Sequence, residues 1–195
     1  MKKLIKLFVF KFSMMVLPLF FRRSYLTGRW FRWPVLDGIF WAWRGIWWQK
    51  IWGFNRRIPW PVSPLCSVGD PRHIRFHPDN LDNFQSPGCY FQSGGPLNIG
   101  YGVYIAPNVG LINANHDPWH LDRHVEGKAV TIGDHSWIGM NAVILPGVVL
   151  GERTVVGAGS VVTKSFPEGH CVIAGNPARC LRRLENPNEE MEGSV

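Results

Sequence analysis

The sequence predicts an all-β fold, a solenoid of triangular β-coils behind an N-terminal amphipathic, Trp-rich helical segment, and three observations carry that reading. Aliphatic residues recur at every sixth position at Ile99, Ile105 and Leu111, and again at Ile132, Ile138, Ile144, Leu150, Val156 and Val162. The residue after the anchor is small in most hexads, as at Gly100, Ala106, Gly133, Gly139, Gly151 and Gly157. Charge and tryptophan content both change abruptly near residue 60. Six is a multiple of the strand period of two but not of 3.6, so the beat holds one inward direction of a β-ribbon and no single face of a helix. Three hexads then close a triangular turn, with each anchor pointing to the axis and the small residue relieving crowding at the corner. Such coils bury their inner faces only by stacking, so both ends need caps. Each buried anchor contributes about 1.5–3 kcal/mol, and nine of them make a sizeable core.

The chain before the solenoid is of a different kind. With 195 residues, 46% hydrophobic and 18% charged, the protein suits one folded domain plus an appendage and is not a disordered polymer. Residues 1–60 hold 12 Lys and Arg against one acid, Asp37, whereas residues 61–195 carry a net charge of −4. The basic excess therefore belongs to the appendage, which excludes a nucleic-acid-binding body. Eight of the ten tryptophans lie between Trp30 and Trp60. Met1 to Arg23 begins like a secretory signal but has no small-residue cleavage site, the first alanine being Ala42. Its apolar run, interrupted by Lys11 and Pro18, falls short of the ~20 residues of a spanning helix. From Leu36 to Phe54 the pattern predicts a helix with Phe40, Trp43, Trp47, Ile51 and Phe54 on one stripe, widened by Trp41, Trp48 and Trp52. Indole rings favour the headgroup level and cations favour anionic lipid, so residues 1–60 read as a monotopic segment on the membrane surface. The protein would then be cytoplasmic and peripheral on the inner face. The alternative is that these aromatics pack against the main domain or a neighbouring subunit.

Pro61 and Pro64 mark a stiff linker over residues 61–67, leaving 68–184 to the β-helix and 185–195, with three Glu after residue 186, as a flexible tail. Cys66, Cys89, Cys171 and Cys180 show no metal spacing and no disulfide framework, so reduced thiols are expected.

The stretches IGYGVYIAPNVGLINANHD (99–117) and TIGDHSWIGMNAVILPGVVLGERTVVGAGSVVTKSFPEGHCVIAGNPAR (131–179) resemble the hexapeptide-repeat acyltransferases. That family includes galactoside, maltose and serine acetyltransferases and the capsule and O-antigen acetyltransferases, the last group being most similar in flavour. The resemblance implies a left-handed parallel β-helix, a homotrimer, and acetyl-CoA bound in the groove between two subunits. Handedness comes from the resemblance alone, since parallel crossovers are otherwise right-handed.

The beat fails in one place. From Leu111 to Ile132 is 21 residues rather than 18, and residues 117–129 have no hexad pattern, which predicts a loop excursion. Acyl transfer from a thioester to a hydroxyl needs a base for the hydroxyl proton, and imidazole suits that task. His116 matches the histidine that the family places before its extended loop as general base. Asn113 and Asn115 are candidates to orient substrate or donate to the oxyanion, and Asp117 to orient His116 or bind substrate. By the same resemblance Trp137 lines the thioester tunnel, and Gly139 and Ala158 meet the pantetheine arm. Thr163, Lys164, Arg179 and Arg182, with Arg183, face the CoA phosphates. Met140 departs from the small polar residue of some sugar acetyltransferases. Ala178 to Leu184 is expected as a short helix or cap. Residues 66–98 lose the beat, and Asp79, Asp82 and Asn83 there are candidates for acceptor contacts. The function expected is acetyl-CoA-dependent O-acetylation of a saccharide, a lipid-linked or surface polysaccharide intermediate, with no metal. The alternatives are N-acetylation of an amino sugar, a zinc hydratase of the carbonic anhydrase kind using His116, His120 and His124, and a non-catalytic trimeric scaffold.

Overall fold

Each hexad supplies a strand of two or three residues, too short to stand alone, so the strands are held by pairing with the coils above and below. The computed structural model describes residues 2–185; the expected tail lies outside the described residues from 186 onward. Three ladders form the faces of a prism. The first runs through Ser67–Val68, Tyr90–Phe91, Gly110–Leu111, Val143–Ile144 and Val161–Val162. The second runs through Ile74–Phe76, Leu97–Ile99, Val130–Ile132 and Val149–Leu150, and the third through Tyr104–Ile105, Trp137–Ile138, Thr154–Val156 and Cys171–Gly175. All of these pairings are parallel and in register: Ile99 lies beside Ile132 and Ile132 beside Leu150, while Leu111, Ile144 and Val162 align likewise.

All nine anchors are buried. A second inward row lies two residues before each anchor, at Leu97, Val103, Val109, Val130, Ser136, Ala142, Val148, Thr154 and Ser160. It escapes an aliphatic count because hydroxyls stand in it, and these are satisfied: Thr154 Oγ1 donates to Gly151 O (2.8 Å) and Ser160 Oγ to Gly157 O (2.6 Å). The corners turn three residues after seven of the nine anchors, all but Leu111 and Val162, where Gly102, Asn108, His135, Asn141, Gly147, Arg153 and Gly159 have φ between 52° and 83°. The small residue after the anchor has another duty. A Cβ on Gly139 would stand 2.6 Å from Val156 O and 2.7 Å from Ala158 N, so smallness there lets successive coils stack. Leu111 and Ile132 occupy consecutive ladders, where an unbroken ribbon would use six residues; the chain uses 21, a larger excursion than comparison with a full turn implies.

At the C-terminal end Ala178–Arg183 is an antiparallel strand on Cys171–Gly175 and not a short helix, because Gly175 (φ 103°) reverses the chain against an open ladder edge. At the N-terminal end the third ladder has no strand above Tyr104–Ile105, and a 3₁₀ segment, Pro78–Gln85, fills the place. Asn83 Nδ2 donates to Val103 O and its Oδ1 accepts from Ile105 N, both at 2.8 Å. Asn80 does the same for Gly100 O and Gly102 N. The stretch that loses the beat is therefore a cap in which amide side chains replace a missing strand.

Residues 2–60 close the same end. Helix α1 (Lys2–Val16) packs against α2 (Asp37–Gly45), which widens into a π-type turn over Ile46–Ile51. Leu17, Phe21, Leu26, Phe31 and Ile39 join the core of the first coil, where Trp60, Phe76, Phe84 and Phe91 form a chain of rings with centroids 4.6–5.2 Å apart. Buried Gln49 donates to Trp60 O (3.1 Å) and accepts from Val62 N (2.8 Å), and Ser63 N donates to Phe84 O, so residues 61–67 are tied down on both sides. Helix α2 turns its small face, Gly38, Ala42 and Gly45 with Ile39, toward the protein. The expected stripe of Phe40, Trp43, Trp47, Ile51 and Phe54 faces outward. All four cysteines are free thiols.

Candidate active site

The excursion after Leu111 is a hairpin seated between the first and second faces. Its foot is held by one side chain and one backbone tie: the Gln92 side-chain Oε1 accepts from Asn113 N and Ala114 N (2.9 Å each), and Lys128 N donates to Asn113 O (2.8 Å). Farther out Val125 N donates to Asn115 O (3.0 Å), Asp117 N donates to Arg123 O (2.9 Å), and His116 and His124 form an antiparallel bridge. Three backbone ties across the hairpin give a loop of this length a defined shape.

His116 is exposed, and its Nδ1 lies 2.7 Å from the carbonyl oxygen of Leu121. A carbonyl only accepts, so Nδ1 carries the proton and Nε2 keeps its lone pair. The ring also lies against His124, with centroids 4.2 Å apart and planes tilted by 41°. One edge of the imidazole is thus fixed by a hydrogen bond and one face by a second ring, which leaves Nε2 as the free basic atom. Neither supporting group is visible in the sequence: every residue has a carbonyl, and His124 reads there as part of a spacing for a metal. Among the described residues no three His, Cys, Asp or Glu side chains gather to hold a metal ion.

The other predicted residues separate clearly. Asn115 is exposed. Asn113 is 1% exposed, and its Nδ2 donates to Gly95 O (2.6 Å), so its amide secures the hairpin foot. Asp117 Oδ1 caps Trp119 N (2.8 Å) at the hairpin tip and does not touch His116; the Leu121 carbonyl takes the orienting role. Asp82 lies at the N-terminal cap, over the third face, paired with Arg29 at 3.3 Å, and burial pushes its carboxyl above the usual carboxylate range. Asp79 accepts from Arg29 N through Oδ1, and Asn83 is spent on the ladder edge. These three therefore belong to the cap and stand apart from the hairpin.

Trp137 stands outward on the third face in line with Tyr104 and Val155. Gly139 and Ala158 follow at the corner between the third and first faces, Gly139 buried and Ala158 exposed. Arg179 and Arg182 pair with Ala174 and Val172 at the lower end of that face. Thr163 and Lys164 lie at a different corner, between the first and second faces, on the side where the hairpin leaves. Lys164, Arg179 and Arg182 are exposed and have no carboxylate partner among the described residues. Those free cations, with an open aromatic and small corner residues, fit a polyanion on a narrow arm. One chain divides the set between two edges of its prism, His116 on one and Trp137 on the other. A site using both needs two copies side by side.

A triangular parallel coil with hexad anchors and an imidazole-bearing hairpin at one corner defines the class as a hexapeptide-repeat solenoid. The repeat pattern described as "Bacterial transferase hexapeptide (six repeats)" matches residues 129–164. A protein of Saccharomyces cerevisiae named as an acetyltransferase is 44% identical over 108 residues, covering 53% of this chain and 54% of its own. The chain spans about half the length of the curated relatives it matches. Among solved structures, a galactoside acetyltransferase in complex with coenzyme A is 32% identical over 67% of this chain and 64% of its own, with a TM-score of 0.56. A hexapeptide-repeat containing acetyltransferase from Vibrio cholerae is 30% identical over 62% of this chain and 72% of its own, with a TM-score of 0.50. The chain belongs to the hexapeptide-repeat acyltransferase family.

Proposed function

We propose that the protein is an acetyl-CoA-dependent O-acetyltransferase acting on a saccharide, with His116 as general base. Nε2 accepts the proton of the acceptor hydroxyl as that oxygen attacks the thioester carbonyl. The tetrahedral intermediate then expels the CoA sulfur, and the imidazolium returns the proton to it. Asn115, exposed beside the base, is the candidate donor to the developing oxyanion. Trp137, Gly139, Ala158, Thr163, Lys164, Arg179 and Arg182 are proposed to hold acetyl-CoA, and the coil to wind left-handed as in the family. The observation that carries the reading is the Nδ1–H bond to Leu121 O, which leaves a base with one open position.

The working unit is proposed to be a homotrimer, because the two halves of the set lie on different edges and two faces present apolar outward rows. Tyr90, Val143 and Val161 stand on one; Tyr104, Trp137 and Val155 stand on the other. Residues 1–60 would keep it on the inner face of the cytoplasmic membrane, where lipid-linked saccharides are assembled. Thiol release from acetyl-CoA in the presence of saccharide acceptors tests the mechanism. His116→Ala is expected to lower turnover by about 10²–10⁴ with an unchanged melting temperature. An unaffected rate would remove the base, and absence of any turnover by the native protein would leave a scaffold.

A further inference from the structure

The outer surface of residues 2–60 is the part of the molecule that acyl transfer does not use. Leu4, Phe8 (70% exposed) and Phe12 stand out from α1, and Phe40, Trp47 (52%) and Ile51 (61%) from α2 and its π-type turn. The two helices adjoin where Trp43 Nε1 donates to buried Ser13 Oγ (2.9 Å), so both exposed rows are carried by one packed helix pair. The inner sides of the two helices are already occupied by the cap of the first coil, and among the described residues these large side chains touch only neighbours on their own helix or turn, as in Phe8 on Phe12 and Trp47 on Trp52, and stay largely exposed. Helix α1 also exposes the cations Lys2, Lys3, Lys6 and Lys11, beside or around from that apolar row, and the only acid before residue 61 is Asp37. Among the described residues no helix is long and apolar enough to cross a membrane, so α1 can lie along an interface but not traverse it.

We propose that α1 and α2 form a docking surface for an anionic phospholipid bilayer, lying in its plane with the apolar rows below the headgroups and the lysines among them. A second copy of the chain is the less suitable occupant, since it would bring the same uncompensated positive charge against itself. Indoles at the apolar-polar boundary and cations beside them match the headgroup region, where a ring has both an apolar bed and a hydrogen-bond acceptor. The surface covers the N-terminal end of the coil. In a trimer with parallel coils, which rests on the reading above, three such surfaces face the same way and bind one bilayer together.

Flotation of the full-length protein with vesicles tests this, using phosphatidylcholine alone and phosphatidylcholine with about one third phosphatidylglycerol. The protein is expected to bind the anionic vesicles at least about tenfold better than the neutral ones, and less at high salt. The triple variant Phe8→Ser, Trp47→Ser, Ile51→Ser is expected to lose at least about tenfold in binding with its melting temperature and native mass unchanged. Lys2→Glu, Lys3→Glu, Lys6→Glu, which leaves the apolar rows intact, should abolish the preference for anionic lipid. Failure of the native protein to float with anionic vesicles overturns the proposal, and so does undiminished flotation of the triple variant. A smaller native mass for that variant would assign the surface to contact between copies. Thiol release with a soluble acceptor is measured on the same samples, so a loss of acyl transfer is read separately from a loss of docking.

Discussion

Alanine at Asn83 isolates the cap from the catalytic reading of the same region. Asn83 is 2% exposed and its amide completes two backbone groups of the third ladder, Val103 O and Ile105 N, each at 2.8 Å. Alanine leaves both groups buried without a partner, and each such group costs about 1–3 kcal/mol. The expected loss is therefore about 2–6 kcal/mol, a large fraction of the stability of a domain of this size. Urea unfolding followed by circular dichroism at fixed protein concentration measures it, since any assembly makes stability concentration-dependent. Asn98→Ala is the control: Asn98 sits on the second face, and its amide meets only the Thr131 hydroxyl at 3.3 Å, so the change should stay within about 0.5 kcal/mol. A loss below about 1 kcal/mol at Asn83 refutes the capping argument. If stability is intact and acetyl transfer disappears, Asn83 is an acceptor contact after all.

Removing the ring behind the base, in His124→Ala, should lower kcat several-fold with little change in KM, and His124→Phe should restore most of it; equal effects of the two variants would leave the stacked face without a positioning role. Gly139→Ala drives a Cβ into the backbone of the next coil and should destabilise by about 1–3 kcal/mol, whereas at Gly110 an added Cβ meets its nearest atom at 3.7 Å and should be nearly neutral; similar melts would contradict the stacking argument. Burial raises the Asp82 carboxyl, so folding favours its protonated form. That contribution is present below the unfolded value of about 3.9 and fades as pH rises through the higher folded value. The melting temperature of Asp82→Asn should therefore improve relative to the native protein as pH is raised from about 3 toward 7, and a difference that stays flat or falls would show that Arg29 outweighs burial.

Much of the coil is legible in the chain because a β-solenoid repeats one local environment. Ile132 to Val162 keep the same side-chain direction at every hexad, and a fixed environment selects a fixed residue type. The hairpin is legible only as a failure of that beat between Leu111 and Ile132. His116 stands out because it stands at that break and the family resemblance supplies a role for it. What orients it was hidden, since the Leu121 carbonyl is common to all residues and the contact with His124 forms only when the hairpin closes. Asn113 illustrates the reverse: an amide close to the candidate base reads as a substrate ligand, and its Nδ2 is held by Gly95 O inside the fold. Asp82 and Asn83 are likewise engaged inside the chain, with partners a local pattern does not reveal: Arg29 lies 53 residues from Asp82, and Val103 and Ile105 lie 20 and 22 residues from Asn83.

By itself the amino-acid order determined the triangular coil, its anchors, the place of the interruption and the basic, tryptophan-rich character of the first sixty residues. These are set by local periodicity and composition, which a linear string records in full. Only the tertiary structure decided which side of α2 faces the protein, that buried amides close the upper ladder edge, that a strand closes the lower one, and which nitrogen of His116 is left open. Each of those depends on which distant groups remain unpaired or unburied once the chain has closed on itself, and no local pattern carries that information.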